Sequence, residues 1–130
     1  MSRSAELQII VQNKMEALGL TAYADEAPDG AIYPYVVYSI DSFSYEDARD
    51  DIVLDCDVWD QSPNYAAVED IADKIEMGFD KYSHHSEDST VLPIFFRYVR
   101  NKVPDTDHKL KRINIKFEIQ NYLHKIHAEG

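Results

Sequence analysis

Residues 52–75 read IVLDCDVWDQSPNYAAVEDIADKI, and the fold turns on how this stretch divides. Its first half alternates with the two-residue period of a strand. Ile52, Leu54, Cys56 and Val58 fall on one face, and Val53, Asp55, Asp57 and Trp59 on the other. The alternation runs into Asp60 and breaks at Ser62-Pro63. Ser62 reads as a helix cap with Pro63 at the first helical position, where a missing N–H does no harm. Beyond it Val68, Ile71, Ala72, Ile75, Phe79 and Tyr82 recur at three- and four-residue steps, the spacing of an amphipathic helix. A catalytic turn would need backbone donors, or a nucleophile held close to a base. Ser62 is better used as a cap, and Pro63 removes an N–H that an anion would need. The strand-to-helix turn therefore reads as a joint.

Upstream, Ser4 is placed to cap a first helix carrying Leu7, Ile10, Val11, Met15 and Leu18, and Gly19 stands where a helix end favours a left-handed residue. TAYADEAPDGA reads as a loop with a Pro28-Asp29-Gly30 turn. IYPYVVYSI is a strand with Pro34 at its start or edge, since proline cannot donate to a ladder. DSFSYEDARDD, residues 41–51, reads as a long exposed connection, a mobile loop or protruding hairpin.

Downstream, SHHSEDST is a loop, VLPIFFRYVR a strand and KVPDTDHKLK a polar connection. RINIKFEI closes the pattern, with Ile113, Ile115, Phe117 and Ile119 facing in and Arg112, Asn114, Lys116 and Glu118 facing out. The tail NYLHKIHAEG either extends that strand or forms a short helix. The order α-β-β-α-β-β predicts an α+β fold: a mainly antiparallel sheet of about four strands with two helices packed on one face. The core is expected from Leu7, Ile10, Val11, Val37, Leu54, Cys56, Val58, Val68, Ile71, Ile75, Phe79, Ile115 and Phe117.

The 130 residues are 45% hydrophobic, enough for one compact domain spanning 1–130 and too few for two ordinary ones. No apolar run approaches the roughly 18–20 residues that span a bilayer, and the N-terminus lacks the pattern of a secretory signal. Cys56 is the single cysteine, which fits a reducing compartment. A soluble cytoplasmic protein is expected. The net charge of −11 argues against binding a phosphate backbone. It is unevenly spread: residues 1–60 carry −10, residues 61–100 carry −3, and residues 101–130 carry +2.

Residues that could do chemistry are sparse. Only four glycines occur, and none forms a loop able to cradle a phosphate or dinucleotide. No nucleophile elbow or zinc-protease motif is present. His84-His85 with Glu87 and Asp88 could donate metal ligands, but neighbours in one loop rarely converge on an ion, so a solvated loop is expected. Asp55 and Asp57 share a strand face, where an exposed face or a salt bridge to a neighbouring strand is favoured over acid/base work. Cys56 belongs to the packing. Trp59 either covers the helix start or serves as a contact anchor. No catalytic, cofactor or metal site is expected, and the chain does not read as an enzyme.

The order of elements, the PYVVYSI strand after a Pro-Asp-Gly turn, the DVWDQSPNYAAVEDIADKI joint and the closing alternating strand together resemble the tail completion, or tail-to-head joining, proteins of tailed bacteriophages and prophages. The resemblance spans roughly residues 5–122. It implies a structural protein that caps the tail tube and forms the joint to the head connector, usually as a hexameric ring around the DNA channel. It thereby implies a tail tube protein and a connector protein as partners, and a location in the bacterial cytoplasm during assembly and then in the virion tail or neck. An acidic channel wall would let DNA slide without binding. The expected contact residues are Phe43, Tyr45 and Trp59 as anchors, an acidic set including Asp47, Asp50 and Asp51, and a basic set including Lys109, Lys111 and Arg112, meeting head to tail between subunits. The other reading is a small regulatory or ligand-binding α+β module.

Overall fold

The computed structural model describes the backbone of residues 3–46, 49–85 and 91–123; within these, the side chains of 3–4, 42–46, 49–50 and 123 fall outside the description. The expected cap by the Ser4 side chain lies outside it, as do Asp47, Glu87 and Asp88. The elements are α1 (Arg3–Ala17), β1 (Ala22–Ala24), β2 (Tyr35–Glu46), β3 (Arg49–Gln61), α2 (Ala66–Phe79), β4 (Val91–Lys102) and β5 (Leu110–Leu123). The strands form one sheet in the order β1-β2-β3-β5-β4.

This corrects the expected sheet in two respects. It has five strands rather than about four, and it is mixed, because β1 pairs parallel with β2 while the other neighbours are antiparallel. The extra strand lies inside TAYADEAPDGA. Three residues cannot display an alternation, so nothing local marked Ala-Tyr-Ala as a strand; it forms because its backbone completes the edge of β2. Val36 N–H donates to the Thr21 carbonyl at 2.9 Å and Asp25 N–H to that of Tyr38 at 2.7 Å. The central strands behave as their alternation demands. β3 runs beside β5, whose insertion leaves β3 and β4 parallel and joined by the α2 crossover.

One face of the sheet holds the core. Leu54 lies opposite Phe117, Cys56 opposite Ile115 and Val58 opposite Ile113, all with at most 1% exposure. Leu7, Ile10, Val11 and Met15 of α1 and Val68, Ala72, Ile75 and Phe79 of α2 pack onto that face in one cluster. Phe79 sits among Phe95, Phe117 and Tyr82, with ring centroids 5.2, 5.7 and 6.4 Å away. Two expected core members differ. Val37 pairs with Asp57 on the opposite face and is only partly buried, since its strand begins one residue out of phase with that assignment. Ile71 is partly buried at the margin of the cluster, a quarter turn from the Val68–Ala72–Ile75 line.

Gly19 ends α1 at φ +79°, donating to the Glu16 carbonyl at 2.9 Å, while Leu20 N–H reaches Met15 at 3.1 Å. Leu18 then lies against Gly78 of α2: a Cβ there would stand 2.8 Å from a Leu18 methyl, so the glycine lets the helix end approach. The start of α2 is later than the Ser62-Pro63 reading. Ser62 is still tethered to the sheet, its N–H donating to the Lys109 carbonyl at 2.8 Å, so helical geometry begins only at Ala66. Tyr65 is the N-cap and makes no side-chain capping bond; the Asn64 side chain instead accepts from Ala66 N–H at 3.0 Å.

Candidate functional site

The face of the sheet away from the helices carries an ordered polar band on β3 and β5. Alternation places Asp55, Asp57 and Trp59 outward on β3, opposite Lys116, Asn114 and Arg112 on β5. Asn114 is only 6% exposed although it lies on this outer face. Its amide nitrogen donates to Asp55 Oδ1 at 2.6 Å and Asp57 Oδ1 at 2.9 Å, with the Cys56 carbonyl at 3.3 Å. Arg112 Nε donates to the same Asp57 oxygen at 2.9 Å, and its guanidinium lies 5.1 Å from the centre of the Trp59 ring. Two like charges two residues apart are thus held by one amide and one guanidinium. Such a band pairs carboxylates with amide and guanidinium donors. Cys56 lies between the two aspartates in sequence but faces the core, where burial and the nearby carboxylates push its thiol well above the ordinary range, the inert form.

The band also decides what the expected acidic and basic sets are. Asp55, Asp57 and Asp60 are neighbours of the basic residues in one subunit, because β3 and β5 are adjacent, while Asp50 and Asp51 lie toward the far end of β3, in register with Asn121 and Gln120. Asp57 and Arg112 form an ion pair, Asp55 is in register with Lys116, and Asp60 with Lys111. Lys111 donates to the His108 carbonyl and lies 5.7 Å from the Tyr65 ring. Lys109 is exposed in the turn before β5. Sequence distance concealed this, since 55 residues separate Asp57 from Arg112.

The expected connection at 41–51 is a hairpin. β2 and β3 pair through Ser42–Ile52 and on to Glu46–Arg49, with a register shift between Ser42 and Ser44. Backbone pairing therefore follows the hairpin alternative of the expected connection, and β5 supports β3 as far as Arg49–Tyr122. Positions Phe43, Tyr45 and Asp50 lie in these strands, and Asp51 pairs with Ser44 and Gln120.

At the opposite end of the sheet is an aromatic corner not picked out in the sequence. Tyr33 stacks on Tyr35 at 5.0 Å, Tyr23 meets Tyr35 edge-on at 5.8 Å, and Tyr35 is in register with Trp59. Ile32 beside them is 81% exposed. Burial and then Tyr33 raise the Tyr35 hydroxyl above its ordinary value. The available signal was the tyrosine spacing around the Pro-Asp-Gly turn.

On the helix side Arg100 of β4 reaches Asp73, Glu76 and Glu69 of α2, each at 2.8 Å, and Arg97 pairs with Glu76. Burial alone would lower the Arg100 pKa; the hydrogen bonds it donates to Glu76, Asp73 and Glu69 overturn that and raise it. This cluster fastens helix to sheet. His84 is partly buried, contrary to the exposed position expected, because its Nδ1 sits 3.2 Å from the Tyr82 hydroxyl; His85 is exposed. Among the described residues no three His, Cys, Asp or Glu side chains are grouped to hold a metal ion. No helix among them is long and apolar enough to cross a membrane.

With this geometry in place, comparison with known proteins is informative at the level of fold. No protein-family model matches the chain, and no curated protein matches it. Among solved structures, a chain from the virion of a native gene transfer agent particle superposes with a TM-score of 0.72, covering 94% of this chain and 99% of that one at 14% sequence identity. The two share a fold over almost their whole lengths.

Proposed function

We propose that this chain is a structural protein of a phage-like virion, one that caps the tail tube and forms the joint to the head connector as a hexameric ring. The carrying observation is the near end-to-end likeness to a chain of a gene transfer agent virion. Its partners in this reading are further copies of itself, a tail tube protein and a connector protein. It works in the bacterial cytoplasm during assembly and then in the virion neck.

The test is to add purified protein to tail tubes and view them by electron microscopy. Rings at one end of the tubes are expected, with a ring of six subunits by mass measurement. Bare tube ends, with protein that stays monomeric in light scattering, would overturn the proposal. A metabolite that raises the melting temperature of the isolated protein would favour a ligand-binding module instead.

A further inference from the structure

The two edges of the sheet are finished differently. At the β4 edge, segment 80–84 covers the first half of the strand: Lys81 N–H donates to the Phe95 carbonyl, Phe95 N–H to Tyr82, His84 N–H to Pro93, and Arg97 N–H to the Asp80 carboxylate, at 2.7–3.1 Å. A register shift between Arg97 and Val99 then ends the covered half, and Tyr98 at the shift is 51% exposed. At the other edge, β1 covers only Val36–Tyr38. Among the described residues no strand pairs with Ser39–Glu46 on the side away from β3. Eight residues at about 3.3 Å each leave roughly 26 Å of backbone edge open, a surface that natural proteins either protect or use.

We infer that the open edge of β2, Ser39–Glu46, receives the uncovered half of β4, Tyr98–Lys102, from a second copy of this chain, joining the sheets head to tail. This rests on the ring reading and names the contact that builds it. Three observations select the occupant. Strand polarity fits: β2, β3, β5 and β4 alternate in direction, so a neighbour in the same orientation presents β4 antiparallel to β2. Charge fits: β2 contains two acids and no base, and β4 contains three bases and no acid. All three bases pair with acids of α2, Lys102 only at 3.8 Å, but Arg97 and Lys102 keep 38% and 56% of their side chains exposed. The wider surroundings agree, since residues 15–48 hold seven acids and no lysine or arginine. The alternative, two β2 edges pairing about a two-fold axis, would bring each acidic strand against its own copy and close as a dimer. The exposed Tyr98 supplies an apolar anchor that charges alone would not.

The experiment uses two single substitutions in the full chain, Asp41→Cys and Asn101→Cys; the native Cys56 is fully buried and does not interfere. Each variant alone and an equal mixture are oxidised at increasing concentration up to about 1 mM, where even a weak contact is populated. The expected result is a disulfide-linked species in the mixture and little in either variant alone. A Ser39→Cys with Val103→Cys pair, in the same register and on the same outer face, repeats the measurement, in case one site tolerates cysteine poorly. Cross-linking of Asp41→Cys with itself would overturn the inference in favour of the two-fold dimer. Rings by microscopy without mixed cross-links for either pair would overturn this edge contact and leave the ring reading standing. Protein that is monomeric throughout and leaves tube ends bare would remove both.

Discussion

The two faces of β3 and β5 are made from alternate residues of the same strands, yet they do different work. On the helix side Leu54, Cys56, Val58, Ile113, Ile115 and Phe117 are fully enclosed by α1 and α2. On the other side Asp55, Asp57, Asn114 and Arg112 are tied to one another across the same strand pair. Helix-side burial supplies the driving force for folding, because it removes apolar area from water. Opposite-face charges sit in or near solvent, where each pair contributes little, so that face is better suited to specifying contacts than to holding the fold. The helix side also carries an exception. Asn121 is completely buried among the helix-side residues, and its amide nitrogen and oxygen have no hydrogen-bond partner among the described residues.

The division is broken most directly from the helix side. Phe117→Ala removes a fully buried ring beside Phe79 and should cost about 3–5 kcal/mol in a denaturant titration. A loss near the size expected for a surface change would show that the core lies elsewhere. Asn121→Leu acts in the opposite direction. It replaces two unsatisfied polar atoms with an apolar side chain of similar shape, and should raise stability by about 1–3 kcal/mol. A fall in stability would mean that the amide is satisfied in solution.

A smaller effect with its own pH signature lies at Tyr38. Its hydroxyl donates to Gln12 Oε1 at 2.6 Å, linking β2 to α1, and burial, followed by Asp25, pushes its pKa up to about 12. Tyr38→Phe should cost about 1 kcal/mol at neutral pH. The folded group keeps its proton at a pH where the unfolded one, near 10.0, has lost it. Its contribution is therefore fully present below the unfolded value and is lost as pH rises from there toward about 12. The gap between the two proteins should narrow across that window, and a gap that widened would contradict the assignment.

The division into faces was legible because alternation is a property of the chain itself. Ile52 to Val58 and Ile113 to Ile119 each announce which side is apolar, and α2 announces its stripe at 3.6-residue spacing. Elements that depend on distant partners were not legible. β1 exists because the edge of β2 is there to pair with, and a three-residue strand carries no periodicity. Residues 41–46 and 49–51 are polar enough to leave loop and hairpin both open, and β5 running alongside β3 lets their backbone stay in the ladder. The α2 start was misplaced for a related reason: Ser62 has the chemistry of a cap, yet its N–H is taken by Lys109 across the sheet. Among site residues, Trp59 and Arg112 were singled out separately, and only the β3–β5 register brings them together.

The smallest predicted effect tests the open face itself. Asn114→Ala removes the amide that donates to both Asp55 and Asp57, leaving the two carboxylates on one strand face with Arg112 bound to Asp57 alone. Lost hydrogen bonds to charged acceptors are worth up to about 3 kcal/mol when desolvated, but these aspartates are partly exposed and water replaces much of the lost contact. A loss of under about 1 kcal/mol is therefore expected, below those at Phe117 and Tyr38. Part of it is repulsion between like charges, so raising salt from about 0.05 M to about 0.5 M should recover a measurable share of the deficit, because screening shortens the reach of exposed charges to a few ångströms. Phe117→Ala should show no such recovery, since its cost is a cavity and not a field. Equal salt responses in the two variants would mean that the faces are not energetically distinct, whatever their composition.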